Sequence, residues 1–410
     1  MPIAAATRNA LGASSMIRKM FEEGALLKKE HGAENVFDFS IGNPDLPPPP
    51  AFASILERLA GDGAKSAKGF HGYTPNAGLY DVRKALAKKA SREQLVPLDA
   101  SHIVMSVGAA GGLNAVFKAI CDPGDEVIVS RPYFPEYRPY TANHGAKLVV
   151  VDSLPGFGLD VDAIGAALSP KTAAVLINSP NNPSGKIYSA ETLAGLAGVL
   201  NRHGKKAFRM PYLVSDEPYR EIAYGVEVPS VLAAYGESIV VYSYSKSLSL
   251  PGERIGYVAV NPGMGEVTDA ITYATRVLGF VNAPALMQRA VAELSESQAG
   301  AGMVDVGIYA KRRDAFMAVL DKAGIEYAVP EGTFYMFCKV PPGRAGGGAL
   351  SDALASDVAF VDHLKRHLIL GVPGSGFGQP GWLRFAFCVD EKTIMGSAAA
   401  FAKAMETWRT

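Results

Sequence analysis

A lysine stands in the segment SYSKSLSLPGERIGY, directly after a β-branched and aromatic run that predicts a strand. This lysine, Lys246, is close in sequence to Ser243, Ser245 and Arg254. An isolated lysine is most often a solvated surface residue, and that alternative stays open. Partial burial beside positive charge would lower the pKa of the amine, which is what a lysine that forms a Schiff base requires. The serines and Arg254 are suited to binding a phosphate.

Two more charged residues occupy predicted strands. Asp216 ends the strand in VSDEPYREI, where a capping or turn role is the ordinary alternative. Its neighbour Glu217 should point to the other side of the strand, and we assign it no catalytic role. Arg384 lies between apolar residues in WLRFAF, a position that is unusual for a charged residue unless it has an anionic partner. That partner is either a carboxylate of a bound ligand or the carboxylate of an internal ion pair.

Small residues mark a candidate phosphate site in SVGAAGGL. Gly108, Ala109 and Ala110 precede apolar residues at helical spacing, so a helix should begin just after Gly108. The free backbone N–H groups of a helix start attract phosphate, although a Gly/Ala-rich turn often reflects tight packing alone. The segment lacks the G-x-G-x-x-G spacing of a nicotinamide-binding loop.

Alternating elements predict the architecture that positions these residues. Seven β-branched runs alternate with helix-like stretches between about residues 100 and 260, which indicates βαβ units. The runs are IVMSVG, EVIVS, LVVVD, AAVLIN, YLVSD, IVVYSYS and GYVAV. We predict an α/β fold whose large domain, residues 46–300, has a mostly parallel seven-stranded sheet covered by helices on both faces. A smaller α+β domain should comprise residues 1–45 and 301–410.

Charge composition argues against nucleic acid and membrane partners. Forty basic residues balance forty acidic ones, so no overall field would attract a polyanion. The N-terminal segment lacks the continuous apolar stretch of a signal peptide or spanning helix. We expect a cytoplasmic protein with a small ligand.

Cysteine and histidine spacing predicts no metal site. Cys121, Cys338 and Cys388 are far apart and odd in number, which fits a reducing compartment. His363 and His367 stand four residues apart, but no third ligand neighbours them.

The chain resembles the class I/II aminotransferases of fold type I, the aspartate aminotransferase-like enzymes. The family's lysine lies in an S-x-S-K segment followed by G-x-R-I-G, as Lys246 does. Nine motifs match in order: IGNPD, GYTPNAGLYDVR, SVGAAGGL, RPYFPEY, NSPNNPSG, VSDEPYREI, SYSKSLSL, EGTFYMF and WLRFAF. The resemblance implies that pyridoxal 5′-phosphate is the cofactor and that Lys246 holds it as a Schiff base. The freed amine would then act as general base and acid.

The resemblance also implies how the cofactor ring is held. Asp216 would keep the pyridine nitrogen protonated, and Asn182 with Tyr219 would hydrogen-bond the phenolic oxygen. Asn182 also lies in ordinary turn sequence, which is the alternative for that residue. Phe134 would stack on the ring, although a core position, or Tyr133 in its place, is also open.

The phosphate and the substrate carboxylate have implied partners as well. Around the phosphate we expect Gly108, Ala109, Ala110, Ser243, Ser245 and Arg254. Tyr73 would reach the phosphate of the neighbouring subunit in a homodimer, unless it is a simple turn residue beside Pro75. Arg384 would bind the substrate α-carboxylate, assisted by Gly42 and Asn182.

The expected reaction moves an amino group from an L-amino acid to a 2-oxo acid. Aspartate or a similar donor is the default, and a small or apolar donor such as alanine stays open. A dicarboxylate would need a second cation, for which Arg276 is near the expected segment but in an uncertain register. One alternative is a β-eliminating lyase that uses the same cofactor. Another is a transcription regulator that binds pyridoxal 5′-phosphate, which would need an attached DNA-binding module.

Overall fold

The computed structural model describes residues 3–4, 7–8, 16–66, 69–297, 305–343 and 353–409. The strands are β1 Phe37–Asp38, β2 Ile103–Ser106, β3 Glu126–Ser130, β4 Lys147–Val151, β5 Thr172–Asn178, β6 Tyr212–Asp216, β7 Ser238–Ser243, β8 Gly256–Val260, β9 Tyr327–Ala328, β10 Tyr335–Lys339, β11 Ile369–Leu370, β12 Val372–Pro373 and β13 Trp382–Ala386.

The α-helices are α1 Met16–His31, α2 Pro50–Lys65, α3 Tyr80–Gln94, α4 Gly108–Ile120, α5 Tyr137–Ala142, α6 Val161–Ala167, α7 Ala190–Ala207, α8 Val231–Ala234, α9 Tyr244–Ser247, α10 Gly265–Val277, α11 Ala285–Glu296, α12 Val306–Ala323, α13 Ala353–Arg366, α14 Glu391–Gly396 and α15 Ala398–Arg409. Short 3-10 helices span Ala33–Asn35, Ala100–His102, Pro155–Phe157 and Gly374–Phe377.

Strands β2 to β8 form the seven-stranded sheet, in the order β2-β8-β7-β6-β5-β3-β4. Only β8 runs antiparallel to its neighbours β2 and β7. Strands β2, β5, β7 and β8 are buried along their whole length and contain several valine and isoleucine residues, as expected of strands covered on both faces. The predicted α/β fold with a mostly parallel seven-stranded sheet is confirmed, and each of the seven predicted runs overlaps one strand.

Helices cover both faces of this sheet. One apolar cluster joins one face to helices α2, α3, α7 and α11, and a second joins the opposite face to α4 and α10. Helix α4 begins at Gly108, the start that the apolar spacing predicted.

A second, smaller layer follows the large sheet in sequence. Strands β12, β13, β10 and β9 form an antiparallel sheet in that order, and β1 pairs in parallel with β11. Phe39, just after β1, packs on Phe316 of α12 with ring centroids 4.8 Å apart. Residues from the start and the end of the chain therefore share one apolar cluster. Among the described helices, none combines the length and apolar character needed to cross a bilayer.

Candidate active site

A cavity of about 370 Å³ opens where the parallel strands β5 and β6 end, which is where ligands bind in sheets of this class. Every predicted site residue except Gly108 and Tyr73 lines it. Its walls comprise Ile41, Gly42, Ala109, Ala110, Leu113, Phe134, Tyr140, Asn178, Asn182, Asp216, Pro218, Tyr219, Ser243, Ser245, Lys246, Pro251, Arg254, Tyr335 and Arg384.

Lys246 lies in the one-turn helix α9, immediately after strand β7. Its Nζ donates a 2.7 Å hydrogen bond to the backbone oxygen of Gly42. Burial lowers the pKa of the Lys246 amine to about 8, and the positive charges of Arg384 and Arg254 act in the same direction. A larger fraction of this amine than of an ordinary lysine is thus neutral, and nucleophilic, close to physiological pH.

Asp216 ends strand β6 and is buried, with an exposed fraction of 5%. The hydroxyl of Tyr137 donates a 2.6 Å hydrogen bond to Oδ2, whereas Oδ1 has no partner in the described part of the chain. Burial raises the pKa of this carboxyl to about 7, the hydrogen bond from Tyr137 lowers it, and the charge of Glu217 raises it. A buried carboxylate oxygen without a partner fits a cationic N–H donor such as a protonated pyridine nitrogen.

Glu217 faces the opposite side of the strand, as predicted. Its carboxylate accepts hydrogen bonds from Arg220, Gln94 and Ser215, all buried. This pairing gives Glu217 a structural environment separate from the cavity.

Arg384 extends from strand β13 into the cavity and is only 2% exposed. Its Nη1 donates to Asn182 Oδ1 at 3.0 Å and its Nη2 to the backbone oxygen of Ser40 at 2.8 Å, while the buried Nε has no partner. No carboxylate of the described residues forms an ion pair with it. The guanidinium is therefore suited to a carboxylate from outside the chain rather than to an internal ion pair.

The start of helix α4 faces Arg254 and the serines. Gly108 has φ +66°, and a Cβ atom there would lie 2.9 Å from Nη2 of Arg254, so glycine lets the guanidinium approach the helix start. Ser243 Oγ and Ser245 Oγ are 2.8 Å apart. These donors around free N–H groups are suited to a phosphate group.

Aromatic residues complete the cavity. Phe134 lines it and Tyr133 does not, which favours the predicted register. Tyr219 Oη lies 3.1 Å from Tyr335 Oη. Tyr335 and Tyr137 are not among the predicted site residues, although both lie within matched motifs. Alternation along β10 could have identified Tyr335, because its face is also that of Arg384 in the paired strand β13.

Several positions considered in the sequence lie outside the cavity, among them one predicted site residue, Tyr73. Tyr73 is 91% exposed. Arg276 packs over the ring of Tyr273 and does not line the cavity. His363 and His367 each lie within hydrogen-bonding distance of Thr407, and the described residues contain no group of three metal-ligating side chains.

Comparison with known proteins gives the family. The model for aminotransferase class I and II matches residues 34–401. The chain is 32% identical to aspartate aminotransferase of Thermotoga maritima, over 88% of this chain and 89% of that protein. It is 29% identical to aspartate/prephenate aminotransferase of Thermus thermophilus, over 89% of this chain and 90% of that protein.

Solved structures agree with this family. An amino transferase of Eubacterium rectale superposes with a TM-score of 0.91 at 37% identity, covering 100% of both chains. The Thermus thermophilus aspartate aminotransferase with maleate has a TM-score of 0.86 at 26% identity, covering 98% of this chain and 100% of that one. The chain therefore belongs to the class I and II aminotransferases, of fold type I, and is a transaminase that depends on pyridoxal 5′-phosphate.

Proposed function

We propose that this enzyme moves an amino group between an L-amino acid and a 2-oxo acid at the described cavity, with Lys246 as the residue that holds the cofactor as a Schiff base. The observation that carries the proposal is that Lys246 and Asp216 line one cavity, and that the buried Oδ1 of Asp216 has no partner among the described residues. Lys246, Asp216 and Tyr219 are the proposed catalytic residues.

Lys246 is proposed to move the proton. When bound, the cofactor supplies an electron-withdrawing ring that weakens the bonds at the Cα atom of the amino acid. The Lys246 amine would take the proton from the Cα atom of the amino acid as general base and, once protonated, would act as general acid. Its lowered pKa suits both roles near neutral pH, because a general base works best with a pKa close to the ambient pH.

Other residues would orient the cofactor. Asp216 would keep the ring nitrogen protonated, and Asn182 and Tyr219 would donate to the phenolic oxygen. Phe134 would stack on the ring. The phosphate would be bound by Gly108, Ala109, Ala110, Ser243, Ser245 and Arg254.

Arg384 would bind the substrate α-carboxylate through two parallel hydrogen bonds. Gly42 and Asn182 border the same space. A Cβ on Gly42 would overlap the ring and hydroxyl of Tyr335, so a residue without a side chain is needed beside the substrate.

An aspartate-type donor is the proposed substrate, because several relatives are named aspartate or aspartate/prephenate aminotransferases. The cations of the described residues that line the cavity are Lys246, Arg254 and Arg384, all with roles already proposed. The charge that would pair with a second substrate carboxylate is therefore expected to come from the neighbouring subunit. A small apolar donor would need no such charge.

We also propose a homodimer in which Tyr73, exposed in the single chain, reaches the phosphate of the neighbouring subunit. The domain division, 46–300 against 1–45 with 301–410, is retained as a proposal. The apolar cluster shared by the two chain ends supports it. A cytoplasmic location is proposed because all three cysteines are free.

The experiment is to incubate the purified protein and pyridoxal phosphate with a panel of amino acids and to follow the visible absorbance of the cofactor. Donors should bleach it and 2-oxo acids should restore it. Borohydride reduction and peptide mass spectrometry should then locate the cofactor on Lys246. Lys246→Ala is the test variant. Its matched control is Lys339→Ala, because Lys339 is a surface lysine that pairs with Glu326. Normal turnover by Lys246→Ala would refute the assignment, and ammonia with pyruvate formed without an acceptor would favour elimination.

A further inference from the structure

A buried set of hydrogen bonds lies on the face of the large sheet that is turned away from the cavity. The Tyr242 hydroxyl donates to Glu221 Oε1 and lies 2.7 Å from Ser247 Oγ. Because a phenol has one proton and this one is donated to the carboxylate, Ser247 must donate to the Tyr242 oxygen. We call these three residues the Glu221–Tyr242–Ser247 bridge.

Alternation along strand β7 separates this bridge from the cavity. Ser243 lines the cavity, and side chains of consecutive strand residues point to opposite faces, so Tyr242 points away from it. The Tyr242 ring stacks on Tyr257 with centroids 4.9 Å apart. Packing thus fixes the orientation of the hydroxyl.

Lys89 of helix α3 anchors the bridge at the Glu221 end. Its Nζ donates to Glu221 Oε1 at 2.9 Å, lies 2.6 Å from Glu93 Oε1, and is 4.2 Å from the centroid of the Tyr242 ring. The Lys89 side chain is only 7% exposed. Buried ion pairs contribute little net stability compared with apolar residues of similar size, so the effect of this pairing lies in fixing geometry.

The two ends of the bridge belong to two segments of the cavity wall. Ser247 directly follows Lys246, and Glu221 follows Tyr219 by two residues. Both Lys246 and Tyr219 line the cavity. We infer that Tyr242 is a positioning residue, which through Glu221 and Ser247 fixes the separation between Lys246 and Tyr219.

This inference rests on the proposed roles of Lys246 and Tyr219, which would act on neighbouring substituents of one cofactor ring. Helix α9 has only four residues, Tyr244–Ser247, and a single turn is weakly stabilised by its own backbone hydrogen bonds. An anchor outside the turn therefore helps to fix the backbone from which the Lys246 amine reaches Gly42. Geometry at that point matters, because a displacement of about 1 Å can cost on the order of a hundredfold in rate.

Tyr242→Phe is the test, since it removes the hydroxyl and keeps the stacked ring. The matched control is Tyr235→Phe, which also removes one buried hydroxyl. The Tyr235 hydroxyl donates a 2.9 Å hydrogen bond to the Pro211 backbone oxygen. We expect Tyr242→Phe to lower kcat about tenfold with KM within about twofold. It should also move the pH midpoint at which the absorbance of bound cofactor changes. Tyr235→Phe should change neither quantity.

Ser247→Ala removes the other end of the bridge and serves if Tyr242→Phe does not fold. The double variant should be no slower than the slower single variant, because both substitutions break one connection. The inference would be overturned if Tyr242→Phe had the kcat of the wild type and the same pH midpoint of the cofactor absorbance change. If Tyr242→Phe does not fold, the same result in Ser247→Ala would overturn it. Multiplicative losses in the double variant would overturn it as well.

One further measurement separates this inference from the proposed function. If borohydride fixes no cofactor at Lys246 in the wild type, the proposed function fails. If it does and Tyr242→Phe behaves as the wild type, only the positioning role fails.

Discussion

The hydroxyl of Tyr137 donates a 2.6 Å hydrogen bond to one oxygen of Asp216, and the other oxygen is buried without a partner among the described residues. The two residues are 79 positions apart. This hydrogen bond opposes the effect of burial on the Asp216 pKa. It thereby favours the ionised carboxylate that a protonated cofactor ring needs.

Tyr137→Phe should therefore weaken the ion pair between Asp216 and the cofactor ring. A hydrogen bond to a charged group contributes about 1.5–3 kcal/mol, so we expect about a tenfold or greater rise in the dissociation constant of pyridoxal phosphate. Equilibrium titration of the cofactor-free enzyme measures it. Tyr224→Phe is the control, since that partly buried tyrosine donates to the Thr333 backbone outside the cavity. Equal affinity in wild type and Tyr137→Phe would contradict the role.

The pKa of Asp216 also predicts how stability depends on pH without cofactor. Burial raises this pKa from 3.8 to about 7, so the folded state binds more protons than the unfolded state between those pH values. The contribution of Asp216 to stability is thus lost as the pH rises through that window, at up to about 1.4 kcal/mol per pH unit. Asp216→Asn has no such titration. Chemical denaturation at pH 5 and pH 8 should show the variant gaining stability relative to wild type at the higher pH.

Bound cofactor should abolish the gain in stability of Asp216→Asn relative to wild type at pH 8. The protonated ring nitrogen would pair with the ionised Asp216 carboxylate of the wild type, and the variant has no such carboxylate. The same denaturation series with saturating pyridoxal phosphate tests this. A stability difference between variant and wild type that is equal at both pH values, without cofactor, would show that Asp216 does not titrate in this window.

The sequence predicted the strands and their C-terminal ends better than the contacts between them. Valine- and isoleucine-rich runs identify β2 to β8 because strands buried on both faces need continuous apolar side chains. The end of β6 put Asp216 at the ligand edge of the sheet. The partner Tyr137 could not be found this way, since its contact depends on how helix α5 packs across the sheet. Tyr335 likewise meets Tyr219 only after the smaller sheet docks beside the cavity.

Arg384→Lys should impair binding of the amino acid more than the chemistry that follows. Lysine keeps the charge but lacks the planar fork that binds a carboxylate through two hydrogen bonds. We expect KM for the amino donor to rise about 10- to 100-fold with a smaller change in kcat. Steady-state kinetics with the best donor of the panel measures both.

Arg209→Lys is the control for that substitution. Arg209 forms a two-bond pair with Asp125, at 2.8 and 2.6 Å, away from the cavity. Arg209→Lys should leave the KM for the amino donor unchanged. An equal KM in Arg384→Lys and wild type would exclude Arg384 as the carboxylate-binding residue.

Gly108→Ala tests the phosphate end of the cavity, and two effects must be separated. Gly108 has φ +66°, a conformation that costs other residues about 1–2 kcal/mol, and its added Cβ would also meet Arg254 Nη2 at 2.9 Å. Gly124→Ala isolates the first effect, because Gly124 has φ +95° and nothing within 4 Å of an added Cβ. Both variants should lose thermal stability. Only Gly108→Ala should displace the Arg254 guanidinium, and with it raise the pyridoxal phosphate dissociation constant by about tenfold or more. Unchanged cofactor affinity in Gly108→Ala, at a stability loss equal to that of Gly124→Ala, would place the phosphate elsewhere.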